Sequence, residues 1–534
     1  MPRRLRILLA LALGGTLGAA PPTAPEHGIG AVHMAISCGA DANARFDRGL
    51  ALLHNFWYER ALTEFDAVIA AHPDCAIAFW GAAMTYNHPL WAPPKPADVK
   101  AALGVLERAK RASTRSDREA RYLAGLVILY GDGDPAKKDA RDVAYRDAMK
   151  AILASYPDDE TKLFTSLAIQ AVRGLTDAGR LEAAALAESV HQAQPQHPGA
   201  MHYLIHAYDS DALAERGLPA ARAYAASAPA VPHALHMPSH IFLRLGLWDE
   251  ARDSNLAAWK ASEDAVHAAG EPLSARQFHN LDYGQYAALQ LGRYAEAKRQ
   301  AQIALDQYDE NLRTLAGGGV ASDDVYDLRH MDFTAVGMAG AYMLSSGDYT
   351  LAKRLPVSPS TPLVDVLVNH LRGMAAVAKN DTAAMAASES TARAALVDPA
   401  KRSNPSIDIA ANETLAAIAH ARHDDAAAFA AMDAAVAAED ARPGHYQPTV
   451  PPMNAHECYG RLLLENGRGT EAVAQFATAL KLYPNRALAL LGAARASRAA
   501  GDRTAATRYA AAFAAMWSKA DSGRPELAEA VALR

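Results

Sequence analysis

Five short stretches share one spacing, a glycine followed five residues later by an alanine: LGLWDEA (245–251), LGRYAEA (291–297), SGDYTLA (346–352), NGRGTEA (466–472) and AGDRTAA (500–506). A glycine can take the positive φ that ends one helix, and a small residue in the next lets the two helices pack closely. Such a hinge used repeatedly restricts the chain to stacked helical hairpins. The composition agrees: alanine dominates, β-branched residues are modest, and Gly and Pro fall in short punctuating clusters. As ordinary globular domains, 534 residues would suggest three or four units, but a repeat array overrides that count.

The first hairpin begins near Asp41, where Gly49, Leu52, Ala61, Phe65 and Val68, closed by Pro73, place small and apolar residues at helix-pair offsets. With the five hinges and the run KLYPNRALALLGAARASRAAGDRTAA, this pattern resembles the tetratricopeptide repeat superfamily over most of the chain after about residue 42. More narrowly, LLHNFWYERALTEF, CAIAFWGAAMTYNHPLW and LHMPSHIFLRLGLWDEA look like an uncharacterised group of exported bacterial repeat proteins. The resemblance implies an all-α, right-handed α-solenoid of tetratricopeptide-like helix pairs, roughly 20 helices long. It carries no known reaction, ligand or site.

The N-terminus has the layout of a secretory signal over residues 1–20: Arg3, Arg4 and Arg6, about a dozen apolar residues, then small ones before Pro21 and Pro22. A linker (21–40), an N-terminal solenoid (41–354), a Pro-rich seam (355–364) and a C-terminal solenoid (365–534) complete the expected organisation. Two further loops are expected, at 130–142 and 441–453, where Pro, Gly and Asp accumulate. No later segment is apolar enough for a membrane span, so the mature chain is expected to be exported, periplasmic or secreted. The 53 basic and 59 acidic side chains form no basic run beyond the leader, which argues against a nucleic-acid partner. Three cysteines exclude a disulfide scaffold, but Cys38 and Cys75 bracket one helical hairpin, so an exported chain has either a staple there or two buried thiols; Cys458 is left over.

Histidine carries the strongest functional signal. Twenty in 534 residues amount to about two per 50, yet residues 191–240 hold seven: His191, His197, His202, His206, His233, His236 and His240. HYLIH (202–206) and HMPSH (236–240) each place two rings on one helix face, within reach of a single ion, to which Asp209 or Asp282 could add a carboxylate. Pro238 weakens the second pair if its helix starts only there. The repeat resemblance further implies that positions 2, 5, 9, 12 and 13 face the concave groove. His202, His233 and His279 fall at position 2, His236 and Asp282 at position 5, His240 at position 9, and His54 and His88 at position 13. His54 and His88 have an alternative role as caps of helix C-termini, where imidazolium suits the dipole.

No phosphate loop, His-Glu-x-x-His, Gly-x-Ser-x-Gly or Cys-x-x-Cys occurs, so no compact catalytic motif marks the chain as an enzyme. Three readings remain open. In the first, the chain is an exported scaffold whose groove (His54, His88, His202, His206, His233, His236, His240, His279, Asp282) receives a peptide, a protein segment or a small polar ligand. In the second, His202, His206, His236 and His240, with Asp209, hold copper, zinc or iron. In the third, the chain is purely architectural. The aromatics of the first two repeats, Phe56, Trp57, Tyr58, Phe79, Trp80, Tyr86 and Trp91, are expected chiefly as core.

Overall fold

The computed structural model describes residues 28–90, 94–318, 331–398, 404–442 and 454–534. The expected leader, the first seven residues of the 21–40 linker, Trp91, His330, His445 and nearly all of the 441–453 loop lie outside them. Among the described residues there are 25 α-helices, from Ala40–His54 to Pro525–Ala532, and no strand; extended pairing is limited to an isolated bridge between Cys75 and Thr114. Consecutive helices form antiparallel pairs, so the all-α, tetratricopeptide-like solenoid is the fold.

All five hinge glycines adopt positive φ: Gly246 64°, Gly292 69°, Gly347 72°, Gly467 72° and Gly501 86°. Small residues then set helix spacing. The Phe65 ring lies between Gly49 and Gly81, and the Phe476 ring between Gly460 and Gly492, the same device near both ends of the array. A Cβ at Gly81 would fall 2.5 Å from Phe65, so neither helix can approach this way with a larger residue. The loop expected at 130–142 is shorter than its composition suggests. Asp134 caps a 3-10 turn at Pro135–Lys137, and a helix opens at Lys138, because Pro and Asp there act as helix-start signals rather than breakers.

One buried cluster runs from Ile29 to Leu291, and a second from Trp259 to Ala530 continues across 355–364 through Leu355 and Val364. Within that segment Ser360 donates to Asp332 from both its backbone N–H and its hydroxyl, and Thr361 caps the Pro362–Lys379 helix. The superhelix also brings its C-terminal hairpins back onto its middle. Trp248 donates through Nε1 to the Asn485 carbonyl at 2.8 Å, Ala487 N–H donates to Gln290 Oε1 at 2.9 Å, and Trp517 Nε1 donates to the Gln290 carbonyl at 2.9 Å. Gly246 makes this possible, since a Cβ there would sit 2.4 Å from the Pro484 carbonyl oxygen. At the other end Cys38 and Cys75 form a disulfide that ties the extended entry segment to the first hairpin, and Cys458 takes no part in a disulfide.

One buried carboxyl in the C-terminal half gives a pH signature. Glu413 is fully buried; burial pushes its carboxyl up to about 8, with the Glu439 charge adding to the shift and a hydrogen bond with Cys458 opposing it. The folded chain therefore keeps a proton that the unfolded chain releases near 4.5, so stability falls as pH rises from about 4.5 through 8. Glu413→Gln should flatten that slope and leave the variant the more stable form at pH 9, by on the order of 3 kcal/mol. Urea unfolding at several pH values measures it; parallel slopes for the two proteins would show the group ionised in the fold.

Candidate metal centre

Three neighbouring helical stretches carry the imidazoles. Pro198–Tyr208 starts with proline at its first position, which pre-sets φ, and presents His202 and His206 one turn apart. Pro232–His236 and Pro238–Leu245 are separate helices, as Pro238 predicts, yet Met237 between them keeps helical angles (φ −52°, ψ −36°). His236 and His240 thus remain on one face despite the proline, because losing one N–H need not turn the chain. Phe278–Gln290 supplies His279.

The six rings divide into two triads, each with one ring nitrogen per residue within 4.8 Å of the others: His202, His206 and His233; and His236, His240 and His279. In the first, His202 Nε2 lies 3.1 Å from both His233 Nε2 and His206 Nε2. In the second, His236 Nε2 and His240 Nε2 are 3.1 Å apart. The sequence pairs 202/206 with 236/240; the structure gives each pair its own third ring, from a neighbouring helix.

The outer nitrogens fix the protons. His202 Nδ1 lies 2.6 Å from the His54 carbonyl, which can only accept, so Nδ1 carries the hydrogen. His236 Nδ1 lies 2.6 Å from Asn255 Oδ1, and Asn255 Nδ2 is already committed to the Ala251 carbonyl, so His236 also donates. His240 Nδ1 donates to Asp209 Oδ2 at 3.1 Å, and Arg244 grips the same carboxylate. Burial holds the His202 imidazole down to about 3, and that of His279 likewise; burial lowers His206, His233 and His236 as well, with neighbouring imidazoles adding to the effect. These rings are neutral at pH 7.

Neutral rings with hydrogen on Nδ1 present lone pairs at Nε2. His202 has one lone pair facing two nitrogens, and it can accept a hydrogen bond from only one of them. His236 and His240 face each other lone pair to lone pair unless a proton or a cation stands between them. A metal ion between facing Nε2 atoms takes both lone pairs at once. Two Nε2 atoms 3.1 Å apart, each about 2.0–2.1 Å from a common ion, subtend about 95–102°, between octahedral and tetrahedral values. Nδ1 donation to a carbonyl, a carboxamide and a carboxylate is also the outer support that metal-bound histidines use.

A third group, His54, Glu160 and His197, is fully buried beside the first triad but is built differently. His54 Nε2 and His197 Nε2 donate to the two Glu160 oxygens at 2.7 and 3.1 Å, and Tyr203 OH lies 3.0 Å from His54 Nδ1. Burial pushes the Glu160 carboxyl up, but the two histidines outweigh it and hold it down at about 2. Both Glu160 oxygens and both His54 nitrogens are paired here without an ion, and His197 Nδ1 alone is left without a partner. Because the His54 carbonyl receives His202 Nδ1–H, this group acts as a buttress for the first triad.

Other sequence candidates fall around this centre. Asp209 reaches the site through His240 Nδ1. His88 stacks on Tyr58 with ring centroids 4.3 Å apart, and His54 stacks on Phe164 at 4.9 Å. Asp282 shares the helix of His279 but belongs to neither triad. Sequence reasoning did not single out Glu160, Asn255, Arg244 or Tyr203. Glu160 lies in the stretch from about 95 to 195 where no clean hinge fixes the register, and Asn255 sits on an outer helix with nothing in sequence to tie it to His236.

The fold and site together define a tetratricopeptide-like α-solenoid with paired imidazole triads on its inner helices. No family model and no curated protein matches the chain. Among solved structures it is similar to a human IFIT1 dimer with m7Gppp-AAAA (12% identity, 86% of this chain and 88% of that one, TM-score 0.36). It is also similar to yeast Tom70 (13%, 92% and 94%, 0.28) and to the P58(IPK) TPR domain (13%, 92% and 98%, 0.19). Scores this low decide nothing about ligand or partner; the architecture stands on the hinges and hairpins. Among the described residues no helix is long and apolar enough to cross a membrane.

Proposed function

We propose that this chain is an exported metal-binding protein that holds two transition-metal ions, one in each triad, within a solenoid that keeps the ligands rigid. The observation that carries the reading is the inward convergence of Nε2 atoms whose Nδ1 partners already hold the protons. The leader-like N-terminus and the Cys38–Cys75 disulfide support export, since such bonds persist in oxidising compartments. All-imidazole sites suit copper, zinc or nickel and disfavour magnesium, calcium and manganese.

The test is direct. Tag-free protein, stripped with a chelator and desalted after incubation with cupric or zinc ion, should retain two equivalents, matching the two triads. Thermal stability should rise, by about 2.7 kcal/mol for each occupied site at a hundredfold excess of free ion over Kd. Retention below about 0.1 equivalent would sink the reading.

A second reading keeps the groove as a binding surface for a peptide or small polar ligand. It is favoured by a cleft where the C-terminal hairpins meet the middle of the solenoid, lined by Asp211, Arg244, Trp248, Tyr286 and Tyr483 among others. In that reading the contact surface is this aromatic cleft, since His202, His206 and His236 are buried and offer a peptide no face.

A further inference from the structure

Resting on the metal-binding reading, we propose that the two triads form one binuclear copper centre that, in its cuprous state, takes up dioxygen arriving through the cleft beside His240. Three observations lead there. First, the ligand set is neutral. Six imidazoles bring no negative charge, and the nearby carboxylates, Asp209 and Glu160, are committed to the outer nitrogen of His240 and to His54 and His197. A buried pocket of neutral ligands penalises charge, so two singly charged ions fit it better than two doubly charged ones. Copper is the imidazole-preferring first-row ion with a stable +1 state.

Second, the triads are continuous. Ring centroids lie 6.1 Å apart for His233 and His236 and 6.2 Å for His206 and His240, across the boundary. Within triads the corresponding distances run from 4.7 Å for His236 and His279 to 6.5 Å for His206 and His233. The rings form one arch, on which two neighbouring ions would share a diatomic ligand. Third, His240 itself lines the cleft, whose walls set Leu243, Trp248, Tyr283 and Tyr286 beside Asp209, Asp211 and Arg244, so a small neutral molecule can reach the rings along its aromatic side.

The chemistry balances with what the centre holds. Each cuprous ion gives one electron, the O–O double bond becomes a single bond, two protons come from solvent, and the products are two cupric ions and one hydrogen peroxide. Two adjacent one-electron donors match this two-electron step, which a lone ion cannot complete.

Stripped protein loaded without oxygen with two equivalents of cuprous ion, then given oxygen, should consume one O2 per two coppers and yield peroxide in a peroxidase-coupled assay. Loaded with cupric ion, it should show far less paramagnetic signal than two isolated ions. His233→Ala should keep one copper and lose oxygen uptake per copper by at least about tenfold; His279→Ala, on the other triad, repeats the test should the first variant fail to fold. Two bound coppers with a full two-ion signal, or without oxygen consumption, would overturn the binuclear proposal and leave the metal-binding function standing. Failure to retain copper at all would overturn the function instead.

Discussion

Replacement of His202 by leucine should halve the metal content, from two equivalents to one, with little loss of stability in the metal-free protein. His202 is the hub of its triad, since both His206 and His233 meet it at 3.1 Å. Without it the remaining pair lacks a third ligand, while His236, His240 and His279 keep theirs. Two opposing effects act on the metal-free chain. Losing the Nδ1–H donor leaves the His54 carbonyl unpaired, at a cost of about 1–3 kcal/mol, but it also removes the crowding of lone pairs at Nε2. The part of the thermal shift contributed by the first ion disappears outright. Asp209→Asn provides the contrast, because the amide oxygen can still accept from His240 Nδ1 while the charge is gone. Both ions should still bind, the His240 site about 10–100-fold more weakly. Isothermal titration separates lost stoichiometry from lost affinity, and equal metal content in His202→Leu and the parent would show that the triad is not a site.

The fold was legible because its determinants are local. A glycine that must take positive φ and an alanine that must let a helix approach leave their mark at a fixed offset, and all five hinges found that way are hinges. The site was legible only in part. His-x-x-x-His pairs announce themselves, since four residues make one turn, but the third ring of each triad arrives from another helix. His233 lies 31 residues from His202, and His279 lies 43 from His236, intervals set by how the hairpins stack. The outer partners were less visible still. Glu160 joins His54 across 106 residues and His197 across 37, through a stretch with no clean repeat register. Pro238 shows a subtler case: the helix break it predicts is present, yet Met237 keeps helical angles and the two rings stay on one face. Sequence spacing thus reports the ligands that share a helix, and tertiary stacking decides with whom they are grouped.

The same stacking makes one glycine critical. Gly199→Ala should destabilise the metal-free protein by about 1–3 kcal/mol and also weaken the first metal site, although alanine is the better helix former. A Cβ at position 199 would lie 2.4 Å from His54 Nδ1 and 2.7 Å from its Cγ. That ring cannot yield. It is fully buried, stacked on Phe164, bonded through Nε2 to Glu160 at 2.7 Å and placed 3.0 Å from the Tyr203 hydroxyl. Relief must come from shifting the Pro198–Tyr208 helix away from the Ala40–His54 helix, which stretches the bond from His202 Nδ1 to the His54 carbonyl and turns the hub of the first triad. Gly104, within Pro96–Ala109, gives the control, since nothing lies within 4 Å of a Cβ built there. Gly104→Ala should stabilise by up to about 1 kcal/mol and leave metal binding unchanged. Opposite signs for one chemical change at two helical glycines, read by urea unfolding and metal titration, would locate the cost in the His54 buttress; equal effects would show that the helices can part without disturbing the centre.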